Sequence, residues 1–433
     1  MRIAFALAAA CQGMAAAAGP VRPLAQEFVV VGESPDPKTI SLFTPALLRL
    51  PSGRLVASYE ASGAARIGEK PFAAILTSDD GGKTWTRRGM VRMTHGRLFA
   101  AGKVLYYLGH EGDLRAARSD DSGLTWSEPR ALTSGQSWHA TSANVWHARG
   151  QVYLVMERRV TRAIQGWSVG ELAPVLMRGA ETADLTRLEN WIFASELSFA
   201  DALPGQAQNY PALDFFGVPF YQSDFPRTAA VPGSRATMAP MGWLETNVVQ
   251  LMDRDHVWFD PSGHTFHLLA RAHTGGTGYA ALAKVVERDD GTMVTSLEHA
   301  PSGRTMLFLP FPGGQMRFHV LYDEKTKLYW MLGSQSVDSM TRPERLPATR
   351  FGLPNNERHR LVLHFSRNLV DWCFAGLIAA SASPKDARHY ACMDFDGDDL
   401  VILSRSADHS ARSAHDGNLI TFHRVRDFRA LVY

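Results

Sequence analysis

The stretch Ser78-Asp79-Asp80-Gly81-Gly82-Lys83-Thr84-Trp85 decides the fold, because the same pattern returns as Ser119-Asp120-Asp121-Ser122-Gly123-Leu124-Thr125-Trp126. The shared pattern is S-x-D-x-G-x-T-W, and its two copies lie 41 residues apart. In such a hairpin turn the Asp accepts hydrogen bonds from its own backbone, the Gly takes a positive φ, and the Trp packs on the next strand. A repeat of about 40 residues is typical of one four-stranded propeller blade.

A worn third copy of the pattern is Ser366-Arg367-Asn368-Leu369-Val370-Asp371-Trp372. We interpret all three copies as structural turns, since their residues complete a hairpin and a hydrophobic plug. The turns resemble the Asp boxes, or BNR repeats, of the sialidase (neuraminidase) family, and the chain as a whole is similar to that family. The resemblance implies an all-β propeller, although one fold supports many functions.

Short alternating apolar runs indicate the strands around these turns. They fall into six sets, at residues 45–88, 97 to the run after 125, 142–197, 247–297, 316–378 and from 390 onward. The last set has three good strands, and Phe28-Val29-Val30-Val31 supplies the fourth, which closes the ring and removes its open edges. The sequence therefore predicts a single six-bladed β-propeller over residues 27–433.

A proline-rich and aromatic-rich segment interrupts this order near residues 198–245. We predict a long ordered loop there, a lid or wall over the site, because loops of this length are usually functional. The alternative is a seven-bladed propeller, if the segment contains hidden strands.

Composition excludes several classes of function. The chain has 433 residues, with 45 Lys and Arg against 43 Asp and Glu. The resulting net charge of +2, without long runs of one sign, argues against nucleic acid or an anionic membrane as the main partner. No Gly-rich phosphate loop, H-E-x-x-H or C-x-x-C pair appears in the sequence. The acidic residues at 394–399 fit a solvated turn better than a calcium site, so we predict no cofactor and no metal.

The first 18 residues predict a secretory signal peptide. Arg2 precedes an apolar run over residues 3–10, and small residues follow at 16–18. A lipid anchor at Cys11 is disfavoured because Ala8 stands where a Leu is expected, and the remaining alternative is a frayed Ala-rich helix. Beyond residue 20 no apolar stretch reaches the roughly 18 residues of a membrane-spanning helix. We expect a secreted or periplasmic monomer.

In a propeller, ligands bind on the axis, at the starts of the innermost strands and the ends of the second strands. Arginine and histidine are concentrated at those positions, and converging arginines repel each other unless an anion lies between them. Because Arg binds a planar carboxylate in a bidentate manner, we predict an acidic glycan or polysaccharide substrate; the alternative is that each Arg pairs with a local carboxylate. The candidate substrate-binding residues are Arg158, Arg271, Arg317, Arg358, Arg360, Arg405, His273 and His319.

Similarity to the sialidases implies roles for particular positions. Glu245, ahead of an inner strand, resembles the glutamate that activates a tyrosine nucleophile. Tyr390, at the start of the last blade, resembles that nucleophile. Arg271 resembles one carboxylate-binding arginine of the family, and Arg358 or Arg360 resembles a second.

Two positions depart from the family. Phe43-Thr44-Pro45 stands where the family has Arg-Ile-Pro, so the first arginine of its triad is missing. The loop between Glu60 and Pro71 lacks the aspartate expected as general acid and offers only Arg66 and Glu69. The acidic sugar therefore need not be sialic acid itself.

Histidine offers a substitute for the missing groups. The chain has 16 histidines, and His95, His110 and His139 occupy axial positions as candidate catalytic residues, because imidazole acts as acid or base near neutral pH. Three functions remain open: an exo-sialidase-like glycoside hydrolase with Tyr390 as nucleophile, a uronate-specific polysaccharide lyase with His139 or His110 as base, and a non-catalytic glycan-binding propeller. The hydrolase predicts Tyr390 and Glu245 within hydrogen-bond reach, whereas the lyase predicts a histidine beside the arginines.

Overall fold

The computed structural model describes residues 21–62, 72–139, 141–164, 168–202, 229–230, 237–238, 241–273, 278–339, 341–342, 345, 357–383 and 385–433. The segment 1–18 with Cys11, the loop residues Arg66 and Glu69, and most of 198–245 lie outside these ranges. In the described part of the chain, no helix is long and apolar enough to cross a membrane.

The described chain is almost entirely β-structure. Strand β1 (Val29–Glu33) comes first, and three blades follow in chain order. Blade 1 consists of β2 (Ser41–Arg49), β3 (Leu55–Ser62), β4 (Phe72–Ser78) and β5 (Thr86–Val91). Blade 2 consists of β6 (Thr94–Ala101), β7 (Val104–Glu111), β8 (Asp113–Ser119) and β9 (Arg130–Ala131). Blade 3 consists of β10 (Trp138–His139), β11 (Trp146–Ala148), β12 (Gln151–Arg159), β13 (Leu172–Ala180) and β14 (Trp191–Phe193).

The second half of the chain adds three more blades. It begins with the short helix α1 (Phe199–Ala202) and the two-stranded pair β15 (Ala229–Ala230) and β16 (Thr237–Met238). Blade 4 consists of β17 (Gly242–Val249), β18 (Thr265–His273), β19 (Tyr279–Glu287) and β20 (Met293–Ser296); β21 (Glu298–His299) pairs with β22 (Thr305–Met306), and β23 (Phe308–Pro310) pairs with β19. Blade 5 consists of β24 (His319–Asp323), β25 (Leu328–Ser334), β26 (Arg360–Ser366) and β27 (Cys373–Ala380). Blade 6 consists of β28 (Ala387–Asp396), β29 (Asp399–Ala407) and β30 (Leu419–Val425). Single 3-10 turns lie at Val169–Glu171, Leu188–Asn190 and Phe428–Leu431.

The N-terminal strand closes the ring, as the sequence predicts. β1 pairs antiparallel with β30 and becomes the outermost strand of blade 6, with Val29 opposite Phe422. Just before β1, the backbone N–H groups of Leu24 and Ala25 donate to carbonyls of β27 in blade 5. The fold is therefore the predicted six-bladed β-propeller, and the seven-bladed alternative is wrong.

The repeated turns form alike in all three copies. Asp80 accepts from the Thr84 backbone N–H (3.0 Å) and hydroxyl (2.6 Å), and Asp121 makes the same two bonds to Thr125. In each copy the Trp indole N–H donates to the carbonyl three residues earlier, in the pairs Trp85 with Gly82, Trp126 with Gly123, and Trp372 with Leu369. The Trp85 ring packs on Phe422 of blade 6, at 5.6 Å between centroids, instead of on the next strand. The turns thus join neighbouring blades.

A polar plug on the axis fixes the inner strands against one another. The Arg317 guanidinium, which is almost fully buried, donates to the backbone carbonyls of Tyr390, Ala391 and Ser142. Asn247 donates to the Phe318 carbonyl at 3.1 Å, in the neighbouring blade. Backbone carbonyls of several blades therefore find donors on the axis, where strands of a closed ring cannot pair with each other.

Candidate functional site

The innermost strands of blades 1, 2, 4 and 6 each contain a β-bulge near their start. Their pairing registers shift at 43/46 in β2, 94/97 in β6, 244/247 in β17 and 389/392 in β28. At each shift a non-glycine residue takes a positive φ, between 46° and 58°: Thr44, His95, Glu245 and Tyr390. This conformation costs about 1 kcal/mol or more per residue. Three of these residues, His95, Glu245 and Tyr390, are candidate catalytic residues.

The bulges also explain why several inner strands begin earlier than the sequence predicts. The predicted starts at 45, 247 and 390 correspond to observed starts at Ser41, Gly242 and Ala387. An extra residue in a bulge breaks the alternation of apolar and polar side chains, so the pattern becomes regular only after it.

Tyr390 and Glu245 meet across the axis, as the hydrolase hypothesis predicts. The Tyr390 hydroxyl donates to Glu245 Oε1 at 2.6 Å. Arg271 Nη1 donates to the Tyr390 hydroxyl at 2.6 Å and lies 3.3 Å from Glu245 Oε2. All three side chains are buried, and Arg271 is held by its Nε–H bond to the Gln315 carbonyl at 2.8 Å. The phenol therefore has a carboxylate to take its proton and a guanidinium to stabilise its anion.

Four arginines surround the Tyr390 ring. The guanidinium carbons of Arg358 and Arg405 lie 5.2 and 5.3 Å from the ring centroid, and those of Arg271 and Arg317 lie 6.0 Å from it. Burial lowers the pKa of Arg358 to about 10 and of Arg405 to about 9, which leaves both charged at neutral pH. Burial raises the pKa of the Tyr390 phenol, and the positive charge of Arg271 opposes that shift. Glu245 bonds to Arg271 and is one carboxylate among several guanidiniums, so the positive charge of the site exceeds what Glu245 alone neutralises.

The structure distinguishes between the two candidate arginines of blade 5. Arg358 is buried beside Tyr390, and its Nη1 donates to His389 Nδ1 at 2.8 Å. Arg360 is 39% exposed and forms an ion pair with Glu357 at 2.9 Å. Arg358 is therefore the arginine brought to the axis, and His389 positions it.

The other four predicted binding residues make different contacts. Arg158 forms a partly exposed ion pair with Glu196, which is the local pairing considered as the alternative. Arg317 uses its donors on the backbone carbonyls of the axial plug, below Tyr390. His319 lines a cavity of about 180 Å³ that begins directly after the bulges, at Ala46, Arg97 and Cys392. His273 is buried at the end of β18, opposite Gly242.

Phe43, where the sequence resemblance led us to expect an arginine, contacts Arg405. The Arg405 guanidinium carbon lies 4.0 Å from the Phe43 ring centroid, and its Nη2 donates to the His415 carbonyl. Stacking on an aromatic face is a preferred arrangement of a guanidinium. Arg405 thus reaches the Tyr390 ring from the second strand of blade 6, on the side where blade 1 provides Phe43.

The three candidate catalytic histidines form one cluster. His95 and His110 come from β6 and β7 of blade 2, and His139 comes from β10 of blade 3. His95 Nδ1 lies 3.0 Å from His110 Nε2, and the His95 and His139 rings lie 5.0 Å apart. Burial is the largest cause that lowers the pKa of all three rings, to about 3 for His110. The three imidazoles are therefore neutral at neutral pH.

Two buried glutamates support the bulges, a role that sequence reasoning missed. Glu60, at the end of β3, accepts from the backbone N–H of His95. Glu157, near the end of β12, accepts from the backbone N–H of Thr246 at 2.8 Å. Burial raises the pKa of Glu60 to about 8 and of Glu157 to about 7. The sequence does contain a signal for this role, because blades 1 and 3 each have a glutamate near the end of the strand that pairs with the innermost strand.

Structural comparisons show the same fold in proteins of distant sequence. An alpha-L-arabinanase of Penicillium chrysogenum, complexed with arabinobiose, is 12% identical over 95% of this chain and 100% of its own, with a TM-score of 0.51. The Trypanosoma rangeli sialidase in complex with the inhibitor DANA is 11% identical over 94% of this chain and 60% of its own, with a TM-score of 0.52. A Hadza microbial sialidase is 14% identical over 94% and 69%, with a TM-score of 0.51. No protein-family model and no curated protein matches the sequence. The chain is thus a propeller similar in fold to an arabinanase and to sialidases, and its substrate has to be argued from the site.

Proposed function

We propose that this protein is an exo-sialidase-like glycoside hydrolase that cleaves a glycosidic bond at an acidic, carboxylate-bearing sugar. The observation that carries the proposal is the hydrogen-bonded set of Tyr390, Glu245 and Arg271 on the axis. A phenol bonded to a carboxylate base is the arrangement expected of an activated nucleophile. The arabinanase and the sialidases that share the fold support assignment as a glycosidase.

The arginines select the substrate. Arg271, Arg358 and Arg405 place three permanent positive charges around one ring. Bidentate contacts from such groups recognise the planar carboxylate of an acidic sugar, and the bound carboxylate in turn relieves their mutual repulsion. A neutral phenol suits this site because a carboxylate nucleophile would be repelled by the carboxylate of the substrate.

The reaction proceeds in two displacements. Glu245 takes the phenolic proton while the Tyr390 oxygen bonds to the anomeric carbon; the bond to the leaving oxygen breaks, and that oxygen receives a proton from a general acid. Water then attacks the same carbon and gives its proton to the deprotonated general acid, while Tyr390 leaves as its phenolate and takes its proton back from Glu245. Arg271, on the phenolic oxygen at 2.6 Å, stabilises the phenolate in both steps. Two inversions retain the configuration of the sugar.

A uronate lyase is the second candidate, favoured by the position of His139. Glu245 and Arg271 both act on the pKa of this ring, which burial lowers. A neutral imidazole beside an arginine-bound carboxylate is a competent base for the proton next to that carboxylate. A glycan-binding propeller without activity remains the third candidate, although it would not need the bonded pair of Tyr390 and Glu245.

A digest of sialylated glycans and acidic polysaccharides tests the proposal. We expect new reducing ends without absorbance of unsaturated uronate, and loss of turnover by about 10³-fold or more in Tyr390→Phe. Tyr322→Phe, on β24 where the ring packs against Trp146 and Tyr329, is the matched control and should keep wild-type turnover. Unsaturated products would establish the lyase and exclude Tyr390 as nucleophile, and full activity of Tyr390→Phe would overturn the mechanism.

Export completes the proposal. A signal peptide over residues 1–18 would bring the enzyme to the periplasm or the medium, where polymeric acidic glycans occur. Fractionation of the host that expresses the full chain, followed by N-terminal sequencing of the mature protein, tests this: cleavage near Ala18 is the expected result, and an intact N-terminus in the cytoplasm contradicts it.

A further inference from the structure

The cluster of His95, His110 and His139 has the geometry of a metal site. One nitrogen of each ring lies within 4.8 Å of the others, and each side chain is partly exposed. Three imidazoles bound tetrahedrally to one ion, with metal–nitrogen distances near 2.0–2.1 Å, place their ring centroids about 5 Å apart. The observed centroid distances are 5.0, 5.2 and 6.2 Å. The two shorter distances match that arrangement, and the third exceeds it.

The three rings are held by three different strands. His95 stands at a bulge with a φ of 53°, and Glu60 holds its backbone N–H. Thr94 donates from its hydroxyl to the His110 carbonyl at 2.9 Å, which ties β7 to β6 at the same point. His139 is fixed by the pairing of β10 with β12, opposite Glu157. A backbone strained in this way at a ligand position is typical of a preorganised site.

The charges around the cluster set how tightly it would hold an ion. A bound ion would replace the contact between His95 Nδ1 and His110 Nε2, which lie 3.0 Å apart. The positive charges of Arg271 and Arg405 act on His139 and His95. These guanidiniums oppose a cation, and we therefore expect weaker binding than in closed structural zinc sites.

We propose that His95, His110 and His139 bind one divalent transition-metal ion such as Zn²⁺, next to the Tyr390 and Glu245 pair. Imidazole is a preferred ligand of zinc, and a set of three histidines leaves coordination positions open for water or a substrate oxygen. The ion would then act as an electrophile on the side of the site formed by blades 2 and 3.

Metal titration of the untagged full chain tests the proposal without any substrate. The protein is stripped with a chelator and titrated with Co²⁺, followed by its visible absorption, and with Zn²⁺, followed by calorimetry. We expect one ion per chain, cobalt bands of four- or five-coordinate nitrogen ligation, and loss of binding by tenfold or more in His110→Gln. His147→Gln, a partly exposed histidine paired with Glu181 on the surface, is the matched control and should bind as the wild type does.

X-ray absorption of the zinc-loaded wild type gives a readout that does not depend on how well a variant folds. Scattering from three imidazoles around zinc is the expected result. Absence of binding by the wild type, unchanged binding by folded His110→Gln, or a coordination shell without imidazole would each overturn the proposal. Failure here leaves the proposed hydrolase standing, because that function depends on Tyr390 and Glu245.

Discussion

Glu245 combines two tasks in one side chain. One carboxylate oxygen accepts a hydrogen bond from the Tyr390 hydroxyl, and the other accepts one from the Arg271 guanidinium. Because Arg358 and Arg405 lie close by, this carboxylate also compensates part of a large buried positive charge. A substitution at 245 should therefore affect both turnover and stability.

Glu245→Gln should lower kcat by about 10²–10⁴-fold, because the amide cannot take the phenolic proton. It should also destabilise the fold by about 3 kcal/mol, since a buried guanidinium loses its partner. Sulfate, a divalent oxyanion that binds between arginines, should restore more of this stability than chloride at equal ionic strength. Thermal melts in the two salts measure the difference.

Glu298→Gln is the control for that experiment. Glu298 is also buried in an ion pair, with Lys284 at 2.8 Å, but it does not face the three arginines. Its loss of stability should respond equally to the two salts. Equal rescue of both variants by sulfate would contradict the role given to Glu245.

The raised pKa of Glu60 predicts how the stability of the fold depends on pH. Burial raises its pKa in the fold to about 8, above the value of 4.5 for the free side chain. The folded state thus holds a proton that the unfolded state has released, and this contribution to stability is complete below pH 4.5 and is lost as pH rises toward 8. In that window one such group changes the free energy of unfolding by about 1.4 kcal/mol per pH unit.

Glu60→Gln should remove this slope, because the amide oxygen still accepts the His95 N–H but does not ionise. Urea unfolding of wild type and variant at several pH values between 5 and 8 measures the difference, in which the other titrating groups cancel. Parallel pH curves for the two proteins would show that Glu60 is ionised in the fold.

At the scale of elements, the repeated turns act as joints between blades. Gly123 of the second copy approaches Val56 of blade 1, and Leu369 of the worn copy packs in the core shared with blade 4. Each turn therefore packs against the preceding blade in the ring. This contact with the preceding blade explains the Gly of the two exact copies and the Trp of all three, which the ligand site does not need.

Gly82→Ala should destabilise the protein by about 3 kcal/mol or more. The residue has a φ of +92°, and an added Cβ would come within 2.2 Å of the Phe422 ring on the preceding blade. Gly81→Ala is the matched control, because its φ is +73° but its Cβ would meet only the Arg424 side chain, at 3.3 Å. Chemical denaturation should show the larger loss at 82; equal losses would mean that backbone strain alone matters.

At the scale of the whole molecule, closure depends on one short strand. β1 covers the edge of β30 in blade 6, and residues 24–26 bond to β27 in blade 5. Leu24 also packs over Gly376. The N-terminal segment therefore fastens two blades that would otherwise be joined only through the chain and the core.

Removal of residues 1–33 should lower stability by about 3 kcal/mol or more and cause association, because the edge of β30 loses its partner. Removal of residues 1–22 leaves every one of these contacts and should change neither property. Thermal melts and light scattering compare the two shortened chains, and a monomeric chain of unchanged melting temperature after the longer deletion would contradict the role of β1.

The sequence predicted those site residues whose position in a blade implies that the side chain points to the axis. Tyr390 and Glu245 were assigned from strand position and resemblance, and they meet although 145 residues separate them. The choice of Arg358 over Arg360 was not predictable, because two residues of equal charge lie two positions apart at the start of a strand. The role of Arg317 was missed because the sequence does not show which backbone carbonyls lack donors.

The sequence by itself determined the architecture of this protein: a turn pattern repeated at blade length, six sets of alternating strands and an N-terminal run that completes the last set. These signals are local, since turn geometry and the two-residue period of a strand depend on near neighbours. Only the tertiary structure decided which side chains share the axis, because four bulges reset the alternation at the residues that face it. The Phe43 and Arg405 stack and the cluster of His95, His110 and His139 arise from that convergence of distant segments, which no local pattern encodes.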